Sequence, residues 1–225
     1  MIRDGIFYGL GFGAAGAAVA RLLGWPWAIP FWVLAAFTVY FFRNPDRLVP
    51  ADPALVVSPA DGKVTAVEVL PASGPFQTRI SIFLSVFDVH VNRSPVAGRV
   101  TAVTYHSGRF LNALNPASAV ENERNEVRVE GPQGMVVFVQ IAGLIARRIV
   151  FWPKLGAVLE RGERVGLIKF GSRVDVYLGS TAELLVRVGD RVKGGGSSLA
   201  RLPVAVDAGV NRSAGSTVTR SRNHG

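Results

Sequence analysis

From Gly5 to Phe42 the chain is apolar almost without interruption, Arg21 being the only charge. The run divides into two segments, Gly5 to Leu23 and Pro26 to Phe42, at Gly24-Trp25-Pro26-Trp27. Each segment falls slightly short of the roughly 20 residues that span a bilayer core, and tryptophan favours the interfacial depth at which such a turn would lie. The pattern predicts a hydrophobic helical hairpin. Arg3 at one end and Arg43 and Arg47 at the other place both ends on the cytoplasmic side. Two other readings compete: a signal-peptide cleavage site after Ala18-Val19-Ala20, and a hairpin that is buried or lies in the interface without crossing.

From Leu55 the period shortens. Runs rich in valine, isoleucine and phenylalanine alternate with Gly, Pro and Asn turns: Val64 to Val69, Arg79 to Phe87, Val100 to Tyr105, Glu126 to Val129, Met135 to Ile141 and Arg147 to Phe151. These are strand signals at close spacing, and they predict a mainly β domain. Leu111 to Asn122 is the stretch least suited to a strand and is assigned a short helix. Leu159-Glu-Arg-Gly-Glu-Arg-Val-Gly166 echoes Val188-Gly-Asp-Arg-Val-Lys-Gly-Gly195. Hairpins of this kind occur in barrel-sandwich domains of the biotinyl/lipoyl type, which is the architecture expected. The organisation read from the pattern is a membrane-associating segment over 1–47, a β-rich domain over 48–204 and a disordered basic tail over 205–225.

Composition narrows the partners. The formal net charge of +9 over 225 residues favours anionic surfaces. No nucleic-acid fingerprint accompanies it, so an anionic membrane surface is expected rather than a nucleic acid. The absence of cysteine excludes disulfides and thiolate metal sites, and no metal is expected. Histidine occurs only at 90, 106 and 224, which leaves few candidates for any imidazole chemistry.

Three strings carry polar residues in unusual company. In Ser58-Pro-Ala-Asp61-Gly-Lys-Val64, the Asp-Gly step before a strand reads as a turn in which Asp61 accepts backbone N–H bonds. In Phe87-Asp88-Val-His90-Val-Asn92-Arg93-Ser-Pro95, an extended backbone would put Asp88, His90 and Asn92 on one face. In Leu167-Ile-Lys169-Phe-Gly171-Ser172-Arg-Val-Asp-Val-Tyr177, two strand-like runs flank a Gly-Ser step, which alone would be a bulge or tight turn.

Taken in order, these strings resemble phosphatidylserine decarboxylases, in particular the short bacterial form with a Phe-Gly-Ser-Arg self-cleavage motif. Phe41-Phe-Arg-Asn-Pro45, Asn122-Glu-Arg-Asn125 and Gln140 to Ile149 extend the resemblance over roughly 41–202. It implies decarboxylation of phosphatidylserine to phosphatidylethanolamine and CO2 by a covalent pyruvoyl group. That group would be made from Ser172 when its hydroxyl attacks the Gly171 carbonyl, so that the backbone breaks between Gly171 and Ser172. The pyruvoyl carbonyl would then form a Schiff base with the substrate amine and act as an electron sink. Matched by motif, His90 is the base and Asp61 the carboxylate that orients it, with Asp88 a second candidate for that task. His90 would also protonate the product carbanion.

The resemblance further implies that fragments 1–171 and 172–225 stay together as a heterodimer, open to further oligomerisation, at the cytoplasmic face of the cell membrane. Leu178-Gly-Ser180-Thr spells the cleavage motif of longer relatives, but the flanking residues favour Ser172 over Ser180. Where many longer relatives carry a second histidine, this chain has Arg93, a candidate for the substrate phosphate. Arg147 and Arg148 are candidates for the head group or lipid surface, whereas Lys169 reads as a strand-face charge. Two alternatives stand beside this reading: a pyruvoyl decarboxylase of another amino-lipid, and a non-enzymatic membrane-anchored binding module.

Overall fold

The computed structural model describes residues 3–144, 148–169 and 171–203. The expected tail over 205–225, His224, Arg147 and Phe170 lie outside them.

The hairpin is present as two helices, α1 (Arg3–Leu23) and α2 (Trp25–Phe41), joined at Gly24. Pro26 sits in the first turn of α2, where its missing N–H costs nothing. The span Asp4–Leu23 is long and apolar enough to cross a membrane, and α2 is shorter. Both helices leave large apolar side chains uncovered, among them Phe7, Leu10, Leu22, Trp25, Trp27 and Val33. Exposed apolar surface on this scale marks an interaction site.

The remainder is mainly β, as expected. In chain order its elements are β1 (Leu55–Val57), β2 (Gly62–Val69), β3 (Thr78–Leu84), β4 (Val91–Arg93), β5 (Gly98–His106), α3 (Ser118–Glu121) and β6 (Arg124–Gly131). They continue as β7 (Gly134–Ile141), β8 (Ile149–Phe151), β9 (Val158–Leu159), β10 (Arg164–Ile168), β11 (Ser172–Leu178), β12 (Glu183–Leu184), β13 (Arg191–Val192) and β14 (Ser198–Arg201). The six strand-like runs read from the sequence fall within or across β2, β3, β5, β6, β7 and β8, and the short helix is α3.

Eight strands form one antiparallel sheet in the order β13-β2-β3-β11-β7-β6-β5-β9, curled into a half-barrel. Two three-stranded sheets, β1-β14-β12 and β4-β10-β8, complete the domain. Alternation along β2, β3, β7 and β11 sends Val64, Ile80, Ile82, Phe138 and Val176 into a common core with Val100, Val127 and Leu199.

Two Ser-Pro turns clasp each other at the centre. Val57 N–H donates to the Pro95 carbonyl and Arg93 N–H to the Pro59 carbonyl, both at 2.9 Å. Gly195 N–H donates to the Ser58 carbonyl and Gly162 N–H to the Ser94 carbonyl, both at 2.8 Å. The Ser58 and Ser94 hydroxyls donate to carbonyls two residues on, Ala60 and Val96. This approximate two-fold exchange runs through the two stretches whose sequences echo one another.

Candidate active site

The site is assembled where β4, β10, the start of β11 and the end of α2 converge. Gly171 closes the gap between the β10 and β11 segments with φ of +59°, a left-handed conformation that glycine adopts without a Cβ penalty. Opposite it, continuing the β7–β11 register, lies Gly143. A Cβ at 143 would fall 2.1 Å from the Gly171 carbonyl oxygen, so only glycine lets the chain pass that carbonyl so closely.

His90 reaches the same glycine from its N–H side. Its Nε2 accepts the Gly171 N–H at 3.2 Å, and its Nδ1 lies 2.9 Å from the Asp88 carbonyl oxygen. A carbonyl only accepts, so Nδ1 carries the proton and Nε2 points its lone pair at the Gly171 N–H, one residue before Ser172. His90 is only 2% exposed. Burial pushes the imidazole down to about 4, against the opposing influence of Asp88 and with a smaller push in the same direction from Arg43. His90 is therefore a neutral, unprotonated base near neutral pH.

Part of that burial comes from the hairpin. The Phe41 ring packs 4.3 Å from the imidazole, and Phe41, Phe42 and Leu167 form one buried cluster. Lys169 proves to be more than a strand-face charge: its Nζ meets the Asp4 carboxylate at 2.7 Å and lies over the Tyr8 and Phe42 rings. The apolar helices thus touch both the base and, shortly before Gly171, Leu167 and Lys169.

Ser172 begins β11, wholly buried, and its Oγ has no hydrogen-bond partner among the described residues. An unpaired buried hydroxyl is costly in a purely structural role. Ser180 lies beyond the other end of β11, about 20 Å of strand away, and is exposed. Behind Ser172 the buried Arg173 guanidinium grips Asp175 at 2.6 Å and Ser81 at 2.7 Å. A chain of buried amides, Asn125 to Gln140 to Asn92, ties β6 and β7 to β4.

The two carboxylates are placed differently from the sequence expectation. Asp61 binds Arg47 at 2.6 Å and accepts the Gly194 N–H at 2.8 Å, a backbone bond of the kind expected but from a distant segment. Its carboxyl is pushed up by burial, opposed by Gly194 and Arg47. Asp88 caps a turn, accepting from Ser85 N–H and Oγ at 2.8 Å each, and its other oxygen meets Arg191 at 3.1 Å. The bond that orients His90 comes instead from the Asp88 main chain. Strand geometry starts only at Val91, so Asp88, His90 and Asn92 do not share a simple face.

Arg93 is buried and spends its guanidinium on the Gly162 and Pro45 carbonyls, fastening the segment that follows α2. Arg148 is exposed, with its carbonyl accepting the Lys169 N–H.

A cavity of about 310 Å³ opens beside Gly171, lined by Phe83, Ser85, Val86, Asn112, Ala113 and Leu144. None of these six was a candidate for chemistry in the sequence, because pocket walls of apolar side chains with single polar ones such as Ser85 and Asn112 carry no local signature.

A family model for phosphatidylserine decarboxylase matches residues 34–200. The chain belongs to the phosphatidylserine decarboxylase family. It is 52% identical over 201 residues to the phosphatidylserine decarboxylase proenzyme of Solibacter usitatus, covering 89% of this chain and 96% of the relative. The corresponding proenzyme of Aromatoleum aromaticum is 47% identical over 201 residues, covering 85% and 93%. The chain is accordingly a decarboxylase of this family, and the alternative of a non-enzymatic binding module is set aside. In this decarboxylase the hydroxyl with no partner among the described residues, the left-handed glycine and the neutral imidazole all belong to one dipeptide and its immediate neighbour.

Proposed function

We propose that the chain decarboxylates phosphatidylserine to phosphatidylethanolamine through a pyruvoyl group that it makes by self-cleavage between Gly171 and Ser172. The observation that carries this reading is the buried Ser172 Oγ, unpartnered among the described residues, directly after the glycine whose N–H meets Nε2 of His90. The names of the proenzyme relatives support it.

In the maturation, Ser172 Oγ gives its proton to Nε2 of His90 and attacks the Gly171 carbonyl carbon. The C–N bond breaks, and the nitrogen takes that proton to become the Ser172 amine, leaving an ester. Loss of the Ser172 α-proton then expels the Gly171 carboxylate and leaves dehydroalanine. Water replaces its nitrogen, which departs as ammonia. Glycine at 171 and 143 keeps the attacked carbonyl clear of side chains.

Once formed, the pyruvoyl carbonyl would supply an electron sink for loss of the substrate carboxylate. Ser172 heads β11 beside the 310 Å³ cavity, which fits a serine-sized head group there. His90, walled by Phe41, is assigned the return of a proton to the product. Asp61 is assigned a positioning role, holding Arg47 and the turn at Gly194.

The hairpin is assigned to the membrane, with the catalytic domain on the cytoplasmic face. Its uncovered apolar surface and Arg43 and Arg47 beyond its end support that orientation. Fragments 1–171 and 172–225 are expected to remain one heterodimer, because β11 is paired on both edges by β3 and β7.

The test is a lipid assay with the purified chain. Release of phosphatidylethanolamine and CO2 from phosphatidylserine, abolished by Ser172→Ala, is expected. An active chain that carries no pyruvoyl group would refute the reading.

A further inference from the structure

The cavity at Gly171 does not end there. It adjoins a second cavity of about 430 Å³, with which it shares Phe83 and Ser85. Consecutive residues form their common wall, Ala113 in the first and Leu114 in the second. Register sets the floor of this groove: Arg191 pairs with Lys63, Lys63 with Phe83, and Phe83 with Arg173, across β13, β2, β3 and β11. Directly paired residues put their side chains on one face of a sheet.

The two ends differ in chemistry. Phe83, Val86, Ala113 and Leu144 line the end at Gly171, whereas Lys63 and Arg191 stand at the other. Asp88 lies in the groove too, with its oxygens taken by Ser85 and Arg191. That bond steadies the Arg191 guanidinium and leaves its remaining N–H donors available. Lys63 has no hydrogen-bond or ion-pair partner among the described residues, so the groove ends in one uncompensated positive charge.

We infer that Lys63 and Arg191 form the subsite for the anionic phosphodiester of the substrate, while the residue-172 end of the groove receives its amine. This rests on the proposed pyruvoyl reading and deepens it. Lys63 stands two strands from Arg173, the residue after Ser172, about 10 Å across the sheet. In a phosphodiester of serine, four bonds separate nitrogen from phosphorus, on the order of 5 Å. A lysine side chain reaching back along the groove covers the remainder. The sequence held both residues in singled-out stretches, Lys63 in the Ser58 to Val64 string and Arg191 in the echoed hairpin.

The test uses the full chain in detergent micelles. Kinetics are compared for a short-chain phosphatidylserine and for a serine alkyl ether without phosphate. Lys63→Gln and Arg191→Gln are each expected to raise KM for the phospholipid at least about tenfold, with kcat little changed and fragments 1–171 and 172–225 still formed. Lys63→Arg should stay near wild type, and KM for the ether should not move. The same Lys63→Gln change, made in the uncleaved Ser172→Ala chain, should weaken calorimetric binding of glycerophosphoserine by a similar factor. This second measurement holds even if maturation is disturbed. Unchanged KM and unchanged binding, or equal losses for ether and phospholipid, would overturn the subsite. A wild-type chain that neither cleaves nor decarboxylates either substrate would instead contradict the pyruvoyl reading, which the binding measurement does not depend on.

Discussion

Nε2 of His90 accepts the backbone N–H of Gly171 at 3.2 Å, although 81 residues separate them in the chain. The contact places an unprotonated imidazole nitrogen against the N–H of the residue that precedes Ser172. Because burial holds this imidazole at about 4, the base form should persist well below the usual histidine range. In chains jumped to a chosen pH directly after synthesis, the cleavage rate should stay level from pH 8 to about 5 and fall near 4. An inflection near 6.5 would mean that a freely solvated histidine controls the step. His90→Ala should lower the rate by at least about a hundredfold.

The same depressed value has a stability consequence. The unfolded chain takes up a proton near 6.5 and the folded one only near 4. The contribution of neutral His90 is therefore fully present above 6.5, is lost as pH falls from 6.5 to about 4, and changes no further below. The loss amounts to roughly 3 kcal/mol. Denaturant unfolding of the Ser172→Ala chain should show that slope, and the Ser172→Ala, His90→Gln double variant should lack its share of it.

Phe41 belongs to the hairpin yet walls the imidazole at 4.3 Å. Phe41→Ala should admit water to His90 and move the acid limb of the cleavage profile upwards towards 6.5. It should also cost roughly 3–5 kcal/mol of stability. Phe41→Leu, which keeps the site apolar, should retain most of the depressed limb. If neither variant shifts the limb, the hairpin is only an anchor.

Much of this arrangement was legible in the sequence, and the reasons differ by residue. The hairpin and strands such as β2, β3 and β7 announce themselves through apolar periodicity. His90 and Ser172 stand out because histidine is scarce and the flanking strings are distinctive. The partner of Nδ1 was not legible, since a main-chain carbonyl has no residue type and a turn at Asp88 redirects its carboxylate to Ser85 and Arg191. Nor was the burial of Arg93 by Gly162 and Pro45, which depends on contacts distant in sequence.

Gly143→Ala tests the close passage at the cleavage site. The added Cβ would meet the Gly171 carbonyl oxygen at 2.1 Å, which backbone atoms cannot tolerate. Cleavage should slow sharply while the chain loses about 1–3 kcal/mol. Gel analysis of the precursor with a parallel melting curve separates the two effects, and normal cleavage at normal stability would show that the contact is relaxed in solution.

Asp61→Asn removes the charge that balances Arg47 at 2.6 Å in a largely enclosed site. A loss of about 3 kcal/mol or more is expected, with slower cleavage following from the displaced Gly194 turn. The double change Arg47→Gln, Asp61→Asn should restore part of the stability. Full activity in Asp61→Asn would remove this carboxylate from the site altogether.

The central claim is the breakage at Gly171-Ser172, and intact-mass spectrometry of the purified wild-type chain beside Ser172→Ala reads it directly. The wild type should give fragments 1–171 and 172–225, the smaller one lighter by one ammonia than a plain serine amino terminus, and Ser172→Ala should give a single full-length mass. A wild-type chain that is uncleaved and yet fully active would contradict the account.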